Sequence, residues 1–248
     1  MIPFFRKIRK TLADDNKPIK YLRYAVGEIV LVVIGILIAL QINNWNEQSK
    51  IETIRQNYYN QILHDLNKDK ITIEKSFLLH GSKHNEYNAY LETYKQPNLN
   101  LNQVNAILFN LSIVSKSIRF DNNSIHSLNN TGDIKLMPSN IRNKLIDLKQ
   151  SQDQTIKVSD GNIEKTLDIL KLVSVEMGSK TLVPRLVNQP ILAELLKIDS
   201  KLEKLFILLE AFHEWKDAGE AITLNNLKKI LSEEEELINL IQEELKKQ

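Results

Sequence analysis

Twelve consecutive residues, 29–40 (IVLVVIGILIAL), carry no polar side chain, and the eighteen from 25 to 42 include only Glu28 and Gln41 as polar members. At 1.5 Å per residue, eighteen helical residues span about 27 Å, close to the ~30 Å hydrocarbon core of a bilayer. Tyr21 and Tyr24 precede the segment and Trp45 follows it, the placement expected of interfacial aromatic anchors. Such a run fits a membrane span better than the buried helix of a soluble protein. The residues that follow, Gln41-Ile42-Asn43-Asn44-Trp45, offer no small-x-small cleavage site, so an uncleaved anchor is expected rather than a signal peptide.

Orientation follows from the basic residues beside the span. Residues 1–24 hold seven (Arg6, Lys7, Arg9, Lys10, Lys17, Lys20 and Arg23), whereas residues 43–66 hold two, Lys50 and Arg55. The positive-inside rule places the N-terminus in the cytoplasm and the residues from about 46 onward outside. Met1, Phe4, Phe5, Ile8 and Leu12 fall at helical spacing among the first basic residues. This segment suits an anionic leaflet, or serves only to fix the topology. Asp14-Asp15-Asn16 is expected to end it, with Pro18 in the first turn of the next helix.

The opening MIPFFRKIRK and the stretch YLRYAVGEIVLVVIGILIALQINNWNE together resemble the N-terminal signature of a large family of uncharacterised single-pass membrane proteins. That family occurs in Gram-negative bacteria and carries a domain of unknown function. A weaker echo lies at Ser127–Leu136, where Thr131 stands before Gly132 in place of the expected Ser. The resemblance implies a helical extracytoplasmic domain and transfers no catalytic residue.

Beyond the span the pattern stays helical. Ile51, Ile54, Tyr58, Ile62, Leu66, Ile73 and Phe77 recur at helical steps. Gly and Pro together supply only 13 of 248 residues, too few for a sandwich, a barrel or a Rossmann fold. The expectation is a rod from the membrane to about residue 79, a turn at Gly81, and a helix from Asn85 to Tyr94. Short helices are expected at 103–111 and 121–131, the second stopped by Gly132. Ser139 is expected to cap a long helix bearing Ile141, Leu145, Leu148, Ile156, Ile163, Leu167, Leu170 and Met177, with a kink near Asp160-Gly161-Asn162. A loop at 180–189 and a short helix from Pro190 to Ile198 lead to a final helix. That helix carries Leu202, Leu205, Leu209, Phe212, Ile222, Leu227, Ile230, Leu237, Ile241 and Leu245.

Chemistry-bearing patterns are few. The chain has no cysteine, which removes disulfides, thiolate metal sites and a Cys nucleophile. A formal charge of +2 is too balanced for a general nucleic-acid binder. His80 and His84 share a helical spacing, but Gly81 lies between them and no H-E-x-x-H is formed. His213 and Trp215 read as a packing pair. No phosphate loop, nucleophile elbow or kinase motif is present. No pair of carboxylates stands in a context that would raise its pKa.

Glu28 is either interfacial, within reach of Arg23, or functional within the membrane. Glu28, Gly35, Ala39 and Ile42 share one helix face, and Gly35 with Ala39 makes a small-xxx-small pair suited to self-association. The expected protein is all-α. A basic segment at 1–17 and a transmembrane helix at 18–46 precede a helical bundle at 47–248. It is a non-enzymatic, single-pass inner-membrane protein with an extracytoplasmic (periplasmic) bundle. That bundle would act as a binding, scaffold or sensor-like module without cofactor or metal. Its expected partners are the lipid bilayer and either a second copy or another envelope protein. An envelope enzyme without a recognisable motif is the alternative.

Overall fold

A computed structural model describes residues 18–178 and 182–247. The basic amphipathic segment, with Asp14-Asp15-Asn16, lies outside the described residues, as do the side chains of Tyr21, Arg23 and Tyr24. The described elements are helices, with no strand among them: α1 Pro18–Glu92, α2 Leu101–Asn110, α3 Asn123–Thr131, α4 Ser139–Met177, α5 Leu182–Leu186, α6 Pro190–Leu195 and α7 Ile198–Lys246. Two 3₁₀ turns follow α1 and α3, at Thr93–Lys95 and Asp133–Leu136. The chain divides into two compact units at the Asn57/Tyr58 boundary.

In the first unit, α1 carries the apolar segment. It is long and apolar enough to cross a membrane, and none of its best eighteen-residue window is buried. Gly35, Ala39 and Ile42 are exposed and Glu28 is half-buried.

Helix starts and stops in the second unit follow local chemistry. Asn100 caps α2: its Oδ1 accepts from Asn102 N at 2.8 Å, and Gln103 Oε1 accepts from Asn100 N at 3.4 Å. Gly132 ends α3 in the left-handed region at φ 77°, as its sequence position predicts. Lys197, at φ 52°, separates α6 from α7.

Three expectations are corrected. Gly81 makes no turn, because α1 runs unbroken to Glu92. A helical glycine costs only about 0.5–1 kcal/mol relative to alanine, and its neighbours His80, Lys83 and His84 are all held by other parts of the bundle. Ser139 is the first helical residue of α4 rather than its cap, with Pro138 at the cap position and no side-chain cap bond. The loop at 180–189 contains α5.

The buried positions reveal the packing rule. Along α1 they are Tyr59, Ile62, Leu66, Asp69, Ile73, His80, Lys83 and Tyr90, with Asp65 buried beside Leu66. Along α4 they are Ile141, Leu145, Leu148, Gln152, Thr155, Ser159, Thr166, Val173 and Met177. Along α7 the run Leu205, Leu209, Phe212, Lys216, Thr223, Leu227, Ile230, Glu234, Leu237 and Ile241 behaves likewise. Steps of three, four and seven give a 3.5-residue period, the seam of helices that pack knobs into holes. Two apolar clusters result. One joins Ile62 and Leu66 to Leu145, Leu148, Leu237 and Ile241, and the other joins Tyr90 and Leu108 to Val173, Met177, Leu205 and Leu209.

Candidate functional site

Between these clusters the seams turn polar. Asp69, His80 and Lys83 of α1, Gln152, Thr155, Ser159 and Thr166 of α4, and Lys216, Thr223 and Glu234 of α7 are all buried. Fully buried ionisable groups are rare unless paired, so this section is the candidate site.

Its first part is acidic. Asp69 and Glu234 are each 1% exposed, and Gln152 between them is fully buried. Gln152 Nε2 donates to Asp69 Oδ2 at 3.0 Å and to Glu234 Oε1 at 3.4 Å. Asp121 N donates to Asp69 Oδ1 at 2.6 Å. One turn earlier, Asp65 Oδ2 accepts from Ser124 N at 2.9 Å and Ser124 Oγ at 2.7 Å, fixing the start of α3 against α1. Gln152 Oε1 and Glu234 Oε2 are buried with no protein donor. Burial, reinforced by the charges of Asp121 and Asp65, pushes the Asp69 carboxyl up to about 7 against the pull of its Asp121 N–H and Gln152 bonds. Burial and the Asp69 charge push Glu234 up to about 8. These shifts overturn the expectation that no carboxylate pair stands in such a context.

The second part is an ion cluster around Glu220. Lys216 Nζ lies 3.3 Å and Lys83 Nζ 3.9 Å from Glu220 Oε1. Ser115 Oγ donates to the same oxygen at 3.0 Å. His80 Nδ1 sits 3.1 Å from Glu220 Oε2, in ion-pair range but off the line of a good hydrogen bond. Lys83 Nζ also donates to the Val114 carbonyl. Burial draws the Lys83 pKa below the usual lysine range, partly offset by Glu220. Burial would raise Glu220, but the His80 contact and the charges of Lys216, His80 and Lys83 together bring it below the usual carboxylate value. Gly219 belongs here: a Cβ at that position would stand 3.0 Å from Asn162 Cβ, so a larger residue would have to displace the Asn162 side chain where α4 and α7 come close.

The histidines separate. His80 faces Glu220, whereas His84 Nδ1 pairs with Asp217 Oδ1 at 2.7 Å on a half-exposed surface. Among the described residues no group of three potential ligands could hold a metal ion. His213 does not pair with Trp215. It is buried between Tyr87 and Phe212 with Nε2 3.2 Å from the Leu108 carbonyl, while Trp215 is 56% exposed. Positions two apart on a helix face different sides.

Two cavities of about 20 and 10 Å³ flank Lys216 and Glu220. Each is the size of one water molecule. Beside the acidic part, an open groove of about 460 Å³ runs between α4 and α7, lined by Gln150, Ser151, Gln154, Asn226, Lys229 and Glu233 among others.

The buried polar positions were readable in one way only. Counting heptads from Ile141, Leu145 and Leu148 lands on Gln152, Thr155 and Ser159. Following the apolar residues instead leads to Ile156, Ile163 and Leu167, which are half-buried or exposed.

No curated protein and no solved structure matches the chain. A family model matches residues 28–168, from Glu28 through most of α4, a stretch that includes Asp65, Asp69, Asp121 and Gln152 and stops short of Glu234. With more than half its length matched, the chain belongs to the family of unknown function DUF6090.

Proposed function

We propose that this is a single-pass inner-membrane protein of a Gram-negative envelope, with a cytoplasmic N-terminus and its helical bundle in the periplasm. There the bundle acts as a binding, scaffold or sensor-like module and not as an enzyme. The observation that carries the reading is the apolar segment of α1. Ten of the residues 29–40 are Ile, Val or Leu, and all twelve are exposed. Moving each from water into an apolar medium is worth about 1.5–3 kcal/mol. Ten of them therefore amount to ~15 kcal/mol or more, as much as the whole stability of an ordinary domain. A bilayer supplies that medium, and the basic excess of residues 1–24 supports the orientation.

A binding or scaffold role is favoured by the way the seams are filled. The two cavities beside Lys216 and Glu220 have room for about one water each, and the groove between α4 and α7 is open and lined by amides, hydroxyls and the charged groups of Asp147, Lys229 and Glu233. The decisive experiment is a pair of reporters fused after Gln248, one active only outside the cytoplasm and one only inside. Activity of the outside reporter is expected, and activity of the cytoplasmic reporter alone would reverse the orientation.

A further inference from the structure

We propose that Asp69, Gln152 and Glu234 form a proton-binding site that couples solution pH to the packing of α1, α4 and α7. This goes beyond the anchoring and binding roles above and does not depend on the side of the membrane on which the bundle lies.

The first support is a donor count. Asp69 and Glu234 together present four carboxylate oxygens, and Gln152 adds an amide oxygen. Against them stand the Asp121 N–H and the two N–H groups of one amide, with Gln152 Nε2 serving both carboxyls. Glu234 Oε2 and Gln152 Oε1 are left without a protein donor. An unpaired buried acceptor costs about 1–3 kcal/mol, and an unpaired buried charge more. One proton taken from solution onto Glu234 turns an acceptor into an O–H donor and removes one of the two buried charges. Two carboxyls at one site rarely ionise together.

The second support is that, among the described residues, the charged groups acting most strongly on the pair are all acidic. From α1 the titratable groups toward it are Asp65 and Asp69, and from the segment before α3, Asp121. From α7 they are Glu233 and Glu235. Helix α4 presents the neutral Gln152, while its Lys149 is engaged by Asp153. The nearby lysines Lys70 and Lys229 are drawn outward to Glu235 and Glu233. The whole neighbourhood therefore favours the protonated pair, and burial pushes both carboxyls into the neutral range. Losing that proton leaves two like charges between three helices, so deprotonation should loosen the contact.

The test uses the full chain in nanodiscs. Infrared difference spectra between pH 6 and pH 10 should show the C=O stretch of a protonated carboxyl, roughly tenfold weaker one unit above its midpoint. Glu234→Gln should shrink this band to the part contributed by Asp69, and Glu233→Gln should keep it whole. The lack of cysteine allows spin labels at Glu74→Cys and Lys228→Cys, both exposed and on α1 and α7. Their distance distribution should broaden with rising pH, and Glu234→Gln should remove that response. If Glu234→Gln does not fold, wild type still decides. A spectrum with no protonated carboxyl at pH 6, or a band that titrates while the α1–α7 distances stay fixed, overturns the proposal.

Discussion

Tyr58 Oη donates to Asp133 Oδ2 at 2.9 Å, joining residues 75 apart in the chain. The same hydroxyl lies 3.3 Å from Thr131 Oγ1. The segment that closes α3 is thereby tied to α1 at the first residue of the bundle unit. Gly132 permits the geometry, since its left-handed conformation lets the chain turn between Thr131 and Asp133. Tyr58→Phe should lower the bundle's unfolding free energy by about 0.5–1.5 kcal/mol, the worth of a partly solvated hydrogen bond. Gly132→Ala should cost about 1–2 kcal/mol through left-handed strain. Denaturant titration measures both, and an unchanged Tyr58→Phe midpoint would show that the contact contributes nothing.

The pH dependence of stability follows from the two raised carboxyls. Their folded values, about 7 and about 8, stand above the ordinary 3.8 and 4.5. The folded chain therefore keeps protons that the unfolded chain has released. Stability is full below about pH 4, falls as pH rises, and levels off above about pH 8. Glu220 and Asp160 act in the opposite sense, because their lowered values remove stability as pH drops below the carboxylate range. The two effects together put the optimum on the acidic side of neutrality, below the range in which Asp69 and Glu234 titrate in the folded chain. Gln152→Leu removes the donor that favours both charged forms. It should cost about 1–3 kcal/mol at neutral pH and steepen the loss between pH 5 and pH 8. Equal slopes for wild type and Gln152→Leu would refute this account.

How far the sequence discloses the molecule depends on whether local rules or partners decide. The helical class, the Gly132 cap and the apolar ends of the seams are legible, because capping and periodicity act within a few residues. Gly81 misleads, since the contacts that carry α1 through it come from residues 217–220, far along the chain. The acidic site misleads for the same reason. Asp69, Gln152 and Glu234 are ordinary surface-type residues until three helices bring them together. The heptad count was the available signal, and the polarity of the residues on it concealed it.

A fragment spanning residues 47–248 should be soluble and mostly helical. Both apolar clusters and every buried polar pair described above lie within the unit from Tyr58 onward, so omitting the apolar segment removes no core residue. Circular dichroism should show a helix-dominated spectrum with a cooperative thermal transition. A strand-dominated or featureless spectrum would refute an independently folding bundle.

The last prediction concerns the face of α1 bearing Glu28, Gly35, Ala39 and Ile42. These residues are seven, four and three apart, so they align on one side of a helix. Among the described residues, apart from the adjoining backbone of α1, nothing stands within 4 Å of a Cβ built on Gly35, and Ala39 and Ile42 are likewise exposed. In lipid, helices gain nothing hydrophobic by leaving other apolar groups, so association rests on close backbone approach and interhelical polar contacts. A glycine and an alanine four apart provide that approach, and a glutamate near the end of the span provides a polar group costly to leave in lipid. A membrane two-hybrid assay of residues 18–47 should report self-association of the wild-type segment. Gly35→Leu should weaken it, because a leucine side chain forces the two backbones apart. A monomeric wild type, or a Gly35→Leu segment that inserts and associates equally well, would exclude this face as an interface.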